Sequence, residues 1–351
     1  MLQNPNKSIC VIFGGTGFIG SHFAKIILEE KIVDKVVLAD LKPVDLKRFN
    51  YLLSQYMESG QIEFAQCDVR DVRSFDSIQL DDGEVSLVAN FAAIHREPGY
   101  EPHEYFETNI LGAENVCNWA ERVGCKQIIF TSSIAPYGPS ESPKTEESIP
   151  CPETAYGASK LVAEKIHLAW QKADLANRKL VIVRPGVVFG PGEGGNVTRL
   201  VRAVLGRYFF YMGNRRTVKA GIYVKELCYS MLWALKQLNI ESNSGCLLYN
   251  ASLNPSPSVE EYVNSICKVA GVTRSFLSVP YCILFSLAWL MEIVARPLGI
   301  NHPFSPVRVR KLVRSNNIQA KTLSDHGYEY RFNLASALAD WKRDMPRDWE
   351  A

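Results

Sequence analysis

The chain has 351 residues, of which 47% are hydrophobic and 22% charged, so it can bury a large core and exceeds the usual size of one domain. Its 39 basic and 37 acidic residues leave a formal net charge of +2, which gives no electrostatic case for a nucleic-acid partner. Nine cysteines without a C-x-x-C pair argue against a disulfide framework and against a metal site, and they fit a reducing cytoplasm.

Short apolar runs alternate with helix-length segments through the first half of the chain. This alternation is typical of an α/β fold with a parallel sheet whose strands are buried on both faces. The spacing of the runs favours right-handed βαβ crossovers and a doubly wound sheet. Strands are predicted, in chain order, at 9–13, 35–39, 62–67, 87–92, 127–130 and 180–183, and helices at 21–30, 113–123 and 156–170.

The regular alternation stops after Arg184, where residues 190–195 are rich in glycine. We therefore predict two lobes. Residues 1–185 form the first lobe, which residues from about 220 to 250 are expected to rejoin, and residues 186–351 form a smaller, interleaved second lobe.

A glycine-rich loop follows the first predicted strand. Gly14, Gly17 and Gly20 lie where the chain must turn tightly and where a pyrophosphate would approach the backbone. Phe18 and Ile19 are further candidates for cofactor contact, and the helix that follows offers N-terminal N–H groups and a positive dipole end that suit phosphates. The loop therefore predicts a dinucleotide site, and a plain strand-to-helix turn is the alternative.

Asp40 ends the second predicted strand, 20 residues after Gly20, where its carboxylate can accept hydrogen bonds from the ribose hydroxyls of an adenosine. Its charge would repel a 2′-phosphate, so NAD is favoured, although Lys42 leaves NADP as an alternative. Asp68 and Val69, after the third strand, are candidates to hold the adenine, with a structural role as the alternative. The end of the fourth strand supplies further candidates beside the ribose: Phe91, Ala92 and Ala93.

Tyr156 and Lys160 lie four residues apart in a predicted helix, so the phenol and the ammonium share one face. A free tyrosine, with a pKa of about 10, is a poor base at neutral pH, but an adjacent ammonium and a positive nicotinamide favour the phenolate. Ser133 follows a strand at the carboxyl edge of the sheet, and its hydroxyl is placed to share the transferred proton. A surface Tyr–Lys pair and a serine without a chemical role are the alternatives.

With these motifs the chain resembles the extended short-chain dehydrogenase/reductase superfamily, in its NAD-dependent sugar epimerase and dehydratase branch, over nearly its whole length. The resemblance implies a Rossmann-type NAD-binding domain at 1–185 and a substrate-binding lobe at 186–351. The motifs that carry it are the glycine loop, Asp40, Asp68 and Val69, 90–93, Asn109, 131–133, Tyr137 and Gly138, Tyr156, Lys160, Arg184 and Pro185, and Tyr223 and Val224.

The resemblance implies that Tyr156 removes a hydroxyl proton from a sugar while hydride passes to the nicotinamide, and that Lys160 also holds the nicotinamide ribose. In the epimerase version, the keto-sugar turns over and takes the hydride back on its other face. The resemblance also implies cofactor contacts from Asn109, Pro185 and Val188, and substrate contact from Ser133.

Dehydratases of this branch carry an Asp-Glu pair directly after the active-site hydroxyl residue, because eliminating water needs a further acid and base. This chain has Ile134 and Ala135 there, which favours an epimerase that inverts C4 of the sugar. A sugar reductase, dehydrogenase or dehydratase is the alternative within the superfamily. A dinucleotide-binding regulator without catalysis is the alternative from another class.

Sugar-nucleotide epimerases place an Asn three residues after the Arg that opens the second lobe, where this chain has Val187. A diphosphate on the substrate is still expected, with Lys219 and Arg310 as its basic contacts. His95 and Asn196 are further expected substrate contacts. For His95, a loop histidine satisfied by its neighbours is the alternative.

Residues 93–97, 184–190, 195–197 and 305–309 resemble the subgroup that epimerises N-acetylhexosamine on an undecaprenyl diphosphate carrier. A polyprenyl-linked sugar has no uracil, which makes Val187 tolerable. This resemblance implies cell-surface polysaccharide synthesis, such as that of O-antigen. A UDP-hexose or UDP-N-acetylhexosamine is the alternative substrate, and a homodimer is expected because it is common where the fold is similar.

Residues 281–291 are the most apolar stretch of the chain, but they are shorter than the roughly 20 residues that a spanning helix needs. A buried core helix is one interpretation. The other is an interfacial helix over 281–296, with Trp289 at the headgroups and nearby basic residues on lipid phosphates. Because the N-terminus lacks a signal-peptide pattern, we expect a cytoplasmic protein, in the second case peripheral on the inner face of the membrane. The basic residues are Arg296, Arg308, Arg310 and Lys311.

Overall fold

The computed structural model describes residues 7–80, 83–97, 99–240, 245–295 and 314–350. Its strands are β1 (Ser8–Phe13), β2 (Lys35–Asp40), β3 (Ile62–Gln66), β4 (Glu84–Asn90), β5 (Gln127–Thr131), β6 (Ser140–Lys144), β7 (Lys179–Pro185), β8 (Val187–Phe189), β9 (Tyr211–Met212), β10 (Gly221–Tyr223), β11 (Cys246–Ala251), β12 (Ser278–Val279) and β13 (Asn316–Ile318). Its α-helices are α1 (Phe18–Glu29), α2 (Leu46–Glu58), α3 (Pro102–Phe106), α4 (Gly112–Arg122), α5 (Ala155–Lys172), α6 (Asn196–Leu205), α7 (Val224–Ile240), α8 (Val259–Ala270), α9 (Tyr281–Ala295), α10 (Lys321–Asp325) and α11 (Leu334–Asp344).

Seven parallel strands form the central sheet, in the order β11-β7-β5-β4-β1-β2-β3. The chain proceeds outward from β1 to β3 on one side and then crosses to β4 on the other side of β1. The connections after β1 and β4 therefore leave the sheet in opposite directions, which opens a crevice at the carboxyl ends of these strands. The predicted α/β class and doubly wound parallel sheet are confirmed.

Successive residues of β1 point to opposite faces of the sheet, and both faces are buried. Val11 and Phe13 pack in one apolar cluster with residues of α4 and α5. Cys10 and Ile12 pack in the other cluster, with residues of α1, α2 and α7. A strand covered on both faces needs apolar residues at every position, which explains why its sequence reads as a continuous apolar run.

Segments after residue 185 contribute to both parts of the molecule. β8 pairs with β10 outside the central sheet, whereas α7 packs on the sheet and β11 forms its edge beside β7. A separate apolar cluster, with Phe189, Tyr262 and Trp341 among its buried members, joins α6, α8 and α11. The two-lobe division at residue 185 stays a prediction.

Helix α9 is apolar on nearly all sides but is buried along only one narrow line. Leu284 and Ala288, one turn apart, are 3% and 0% exposed and pack against Phe210, Met212 and Val279. The interpretation of 281–291 as a buried core helix is therefore wrong. Its exposed apolar side chains are Tyr281, Ile283, Leu287, Trp289, Leu290, Met291 and Ile293. Among the residues described, no helix is both long enough and apolar enough to cross a membrane.

Candidate active site

The glycine loop folds back against the end of β4 more closely than any side chain would allow. Gly14 has a φ of +74°, and a Cβ on it would lie 2.7 Å from the Ala92 nitrogen and 2.8 Å from the Phe91 carbonyl carbon. A Cβ on Gly20 would lie 2.5 Å from the Gly14 carbonyl oxygen. The loop therefore requires glycine at both positions, for backbone conformation at the first and for close approach at both.

Helix α1 begins directly after this loop, with Gly17 at its N-cap and no side chain capping it. The N–H groups of its first turn, which includes Phe18 and Ile19, have no intrahelical acceptor. Asp40 faces the same loop, because its carboxylate accepts the Thr16 N–H at 3.1 Å. The structure thus brings the predicted pyrophosphate cradle and the predicted ribose acceptor together, and these residues fit a dinucleotide.

Asp68 and Val69 follow β3, but their polar groups already have partners. The Asp68 carboxylate accepts from the Arg70 guanidinium at 2.7 Å, and this pairing lowers the pKa of Asp68. The carbonyl oxygen of the buried Val69 accepts a hydrogen bond from the Asn115 amide at 2.8 Å. Sequence reasoning missed Arg70, and the adenine contacts of Asp68 and Val69 stay predictions.

Asn109 lies buried in a π-helical turn between α3 and α4. Its amide group donates to the Ile94 carbonyl at 3.1 Å and to the Ser159 hydroxyl at 2.9 Å, and its oxygen accepts the Ile94 N–H at 2.9 Å. Asn109 therefore fastens the loop after β4, which contains Ala93 and His95, to helix α5. The contact of Asn109 with a cofactor stays a prediction, as do those of Pro185 at the end of β7 and Val188 in β8.

Tyr156 stands in the first turn of α5, where the Thr154 side chain caps the helix by accepting the Gly157 N–H at 3.1 Å. The Ser133 hydroxyl lies close enough to the Tyr156 phenol to lower its pKa. Because the Ser133 oxygen already accepts the Ala135 N–H at 3.1 Å, its own proton is available for the phenol oxygen. The structure thus brings two of the three predicted catalytic groups together.

Burial governs the protonation of this site. It raises the pKa of Tyr156, and the nearby Glu97 raises it further, while the hydrogen bond from Ser133 acts in the opposite direction. It also lowers the pKa of Lys160 to about 7, against the influence of the Glu164 carboxylate. The expectation that the Lys160 ammonium favours the phenolate stays a prediction. A positive nicotinamide would favour the phenolate as well.

Lys160 is 2% exposed, with its ammonium 4.4 Å from the centre of the Phe130 ring. Phe130 in turn stacks on His167, with the ring centres 4.0 Å apart. Burial lowers the pKa of His167 to about 4, so the histidine is neutral at physiological pH. The ammonium is thus held against aromatic carbon rather than in solvent, where its hydration would otherwise stabilise the charge.

The predicted substrate contacts lie at several places on the fold. Lys219 precedes β10 and donates to the Arg314 carbonyl oxygen at 2.5 Å, and burial lowers the pKa of Lys219 to about 8. Asn196 is exposed at the start of α6, and its side chain accepts from Arg199 at 2.6 Å. His95 is exposed on the loop after β4. Arg310 lies outside the described residues, and the substrate roles of all four stay predictions.

Glu164 is a site residue that sequence reasoning missed. It is 1% exposed and lies one turn beyond Lys160 on the same helix, where it pairs with Arg184 at 2.6 Å. The four-residue spacing from Lys160 was an available signal. No sequence spacing indicated that Arg184 would pair with Glu164, because the two residues lie on a strand and a helix. Within the described parts of the chain, no group of three or more His, Cys, Asp or Glu side chains is arranged to hold a metal ion.

Comparisons with known proteins identify the family of the chain. The model of the NAD dependent epimerase/dehydratase family matches residues 10–246. The N-acetyl-alpha-D-glucosaminyl-diphospho-ditrans,octacis-undecaprenol 4-epimerase of Escherichia coli O157:H7 is 27% identical, over 93% of this chain and 92% of its own. An Arabidopsis thaliana 3beta-hydroxysteroid-dehydrogenase/decarboxylase (isoform 2) is 26% identical over 91% of this chain, which spans 58% of that longer protein.

Among solved structures, the UDP-Glc/GlcNAc 4-epimerase of Campylobacter jejuni superposes with a TM-score of 0.71, covering 96% of this chain and 99% of its own. At 18% sequence identity, this likeness concerns the fold alone.

The close approach at Gly14 leads to a first prediction. We expect Gly14→Ala to weaken NAD binding at least about tenfold, a loss of about 1.4 kcal/mol, because the new Cβ would push the loop away from Ala92. The affinity can be measured by titration calorimetry.

Gly60→Ala is the matched control, since Gly60 has a φ of +73° and a Cβ there would meet nothing within 4 Å. Both variants carry the left-handed backbone strain of about 1–2 kcal/mol, so only the contact with β4 distinguishes them. Equal NAD affinities for the two variants would contradict the prediction.

Proposed function

Because the chain belongs to the NAD dependent epimerase/dehydratase family, we propose that it is a sugar 4-epimerase acting on a diphosphate-linked hexose or N-acetylhexosamine. The observation that carries this proposal is that Ser133 lies beside the phenol of Tyr156, which shares helix α5 with Lys160. Ser133 follows β5 at the carboxyl edge of the sheet, where the glycine loop follows β1.

In the proposed reaction, the Tyr156 phenolate oxygen takes the proton of the sugar 4-hydroxyl as the C4 hydrogen leaves as hydride, and a 4-keto sugar results. NAD supplies a reversible hydride acceptor when it is bound. Ser133 holds the reacting oxygen and shares its proton. The sugar then presents its other face, so that the hydride returns to C4 and Tyr156 returns the proton to the oxygen. No cofactor is consumed, because each step is reversed.

Two features favour epimerisation over dehydration. Ile134 and Ala135 follow Ser133 directly, and neither side chain can act as the acid or base that elimination of water requires. The E. coli relative, which matches over almost the whole of both chains, is named as a 4-epimerase. A dehydrogenase of the same family would instead release reduced cofactor with each turnover.

We further propose that the substrate is N-acetylhexosamine on an undecaprenyl diphosphate carrier, in cell-surface polysaccharide synthesis. The name of the E. coli relative gives such a substrate for that protein. Val187, in β8, has no polar side-chain group that could contact a nucleotide. A polyprenyl carrier contains no nucleotide, so such a contact is not needed. A UDP-sugar is the alternative substrate, and a homodimer stays a prediction.

A lipid-linked substrate must be met at a membrane surface, and α9 supports this proposal. Trp289 and Leu290 are 57% and 54% exposed, on a helix whose only charged residue is Glu292. The 19 residues from 296 to 314 carry five Arg or Lys and no Asp or Glu. Exposed apolar side chains next to concentrated positive charge are suited to an anionic membrane surface. The protein would then be peripheral on the inner face of the membrane.

The substrate assay is the direct test of the reaction. We expect the purified protein to interconvert the C4 epimers of undecaprenyl-diphosphate-linked N-acetylglucosamine in detergent, without sustained accumulation of reduced nicotinamide. Turnover of UDP-N-acetylglucosamine alone would overturn the lipid-carrier proposal but leave the epimerase proposal standing. Steady production of reduced cofactor would contradict the epimerase proposal itself.

Tyr156→Phe tests the proton transfer. We expect kcat to fall roughly 10²–10⁴-fold, the usual contribution of general acid–base catalysis, because the phenol oxygen is lost while the ring remains. The NAD affinity should remain close to that of the wild type. Tyr208→Phe, on a side chain that is 65% exposed, is the control and should retain full activity. Unchanged turnover in Tyr156→Phe would favour a non-catalytic dinucleotide-binding protein.

Vesicle flotation tests the membrane contact. We expect the protein to bind vesicles of phosphatidylglycerol and phosphatidylcholine, and Leu290→Glu to weaken that binding at least about tenfold, since it exchanges apolar contact for a repelled charge. Ile149→Glu, at a side chain that is 83% exposed, should bind like the wild type. Failure of the wild-type protein to bind anionic vesicles would rule out this role for α9.

A further inference from the structure

A single buried carboxylate, that of Glu164, lies behind the proposed catalytic groups. Arg184 donates to both of its oxygens, from Nε to Oε1 at 2.8 Å and from Nη2 to Oε2 at 2.6 Å. The Ser132 hydroxyl donates to Oε1 at 2.5 Å. Glu164 is 1% exposed, and Arg184 and Ser132 are each 4% exposed, so water does not compete for these bonds.

These three residues belong to the three elements that carry the site. Glu164 is on α5, four residues after Lys160, Ser132 directly precedes Ser133 after β5, and Arg184 is in β7. Backbone hydrogen bonds hold the two strands together, from Ser132 to the Val183 carbonyl at 2.7 Å. The Glu164 side chain supplies the further links from the helix to both strands. Loss of this carboxylate would free α5 to shift relative to Ser133.

Stability alone does not account for such a pair. Burying two charges is costly, and apolar residues of similar volume in their place are often neutral or stabilising. Removing only one partner is strongly destabilising, because the other charge is then left buried without compensation. A buried bidentate pair beside a reaction site is therefore better explained by geometry and charge than by a gain in folding energy.

Glu164 also acts on the protonation of Lys160. Its charge opposes the effect of burial and raises the pKa of Lys160, which nevertheless falls to about 7. At that pKa a modest further decrease would deprotonate much of the lysine at neutral pH.

The Arg184 guanidinium is itself held over the Tyr137 ring, 4.7 Å from its centre.

We propose that Glu164 is a positioning residue, which uses Arg184 and Ser132 to fix α5 against the ends of β5 and β7 and places its negative charge one helical turn beyond Lys160. Glu164 touches neither sugar nor cofactor in this proposal. The inference rests on the proposed function, because it assigns Glu164 a task in aligning Tyr156 and Lys160 with Ser133.

Glu164→Gln keeps the shape of the side chain and removes its charge. We expect kcat to fall about 10- to 100-fold, as small misplacements of reacting groups do, with little change in KM. The missing negative charge and the uncompensated Arg184 both disfavour the ammonium, so the alkaline limb of the pH–rate profile should move to lower pH. A general loss of protein stability would not by itself shift the alkaline limb of the pH–rate profile.

Glu121→Gln is the matched control, because Glu121 also pairs with a buried arginine, Arg178, at 3.2 Å, but it does so on α4 at an exposed side chain. It should retain the wild-type kcat and pH–rate profile. The second readout is the carbon NMR titration of Lys160 in protein labelled at the lysine ε-carbons, assigned by the signal missing in Lys160→Arg. Lys160 should titrate at lower pH in Glu164→Gln than in Glu121→Gln.

The titration needs no substrate, so it separates this inference from the proposed function. A wild-type protein without epimerase activity, but with the shifted titration in Glu164→Gln, would overturn the proposed reaction and support the electrostatic link. Identical Lys160 titrations and identical kcat values in the two Gln variants would overturn the inference. Should Glu164→Gln not fold, Ser132→Ala decides, because it removes one bond to the carboxylate and keeps the ion pair. A reduced kcat with normal NAD affinity in Ser132→Ala supports the inference, and wild-type kcat overturns it.

Discussion

Burial of Lys160 at the carboxyl edge of the sheet is the constraint on which the rest of the site depends. Removing an ammonium from water disfavours its charge, and here burial lowers the pKa of Lys160 to about 7. The same burial raises the pKa of Tyr156. The scaffold alone therefore shifts both groups toward their neutral forms. A charged pair of Lys160 ammonium and Tyr156 phenolate therefore needs neighbouring charges that stabilise it. The residues and the cofactor site around the pair can supply them.

Two charges could stabilise the ionised forms of Lys160 and Tyr156, one from the protein and one from a bound cofactor. From the protein side, Glu164 is held by Arg184 and Ser132 and supports the ammonium. From the crevice side, the glycine loop and Asp40 fit a dinucleotide whose nicotinamide is positive when oxidised. Dependence of the phenolate on that positive charge would couple proton removal to the oxidised state of the cofactor, since the phenol stays neutral without it. Such coupling suits a reaction that must begin and end with oxidised NAD.

Helix α9 shows that an apolar composition does not distinguish a buried core helix from an exposed one. Its apolar sequence is what a core helix would have, yet among the side chains described from 281 to 293 only Leu284 and Ala288 are buried, and Trp289 is 57% exposed. Hydrophobicity indicates that a segment avoids water but does not indicate what covers it. In a protein proposed to act on a lipid-linked sugar, an exposed apolar face that is followed in the sequence by a cationic segment has a use that a soluble substrate would not require.

Local sequence patterns predicted six of the seven strands of the central sheet, the glycine loop, Asp40 and the Tyr156–Lys160 spacing, because each depends on local periodicity or on residues a fixed number of positions apart. The tertiary structure alone decided the burial of Lys160, the pairing of Asp68 with Arg70, the exposure of α9 and the Glu164–Arg184 pair. These features depend on which distant segments pack together. Glu164 and Arg184 are 20 residues apart in sequence, on a helix and a strand, and no local pattern relates them. Burial and pairing set the charges of the site, and both are properties of long-range contact.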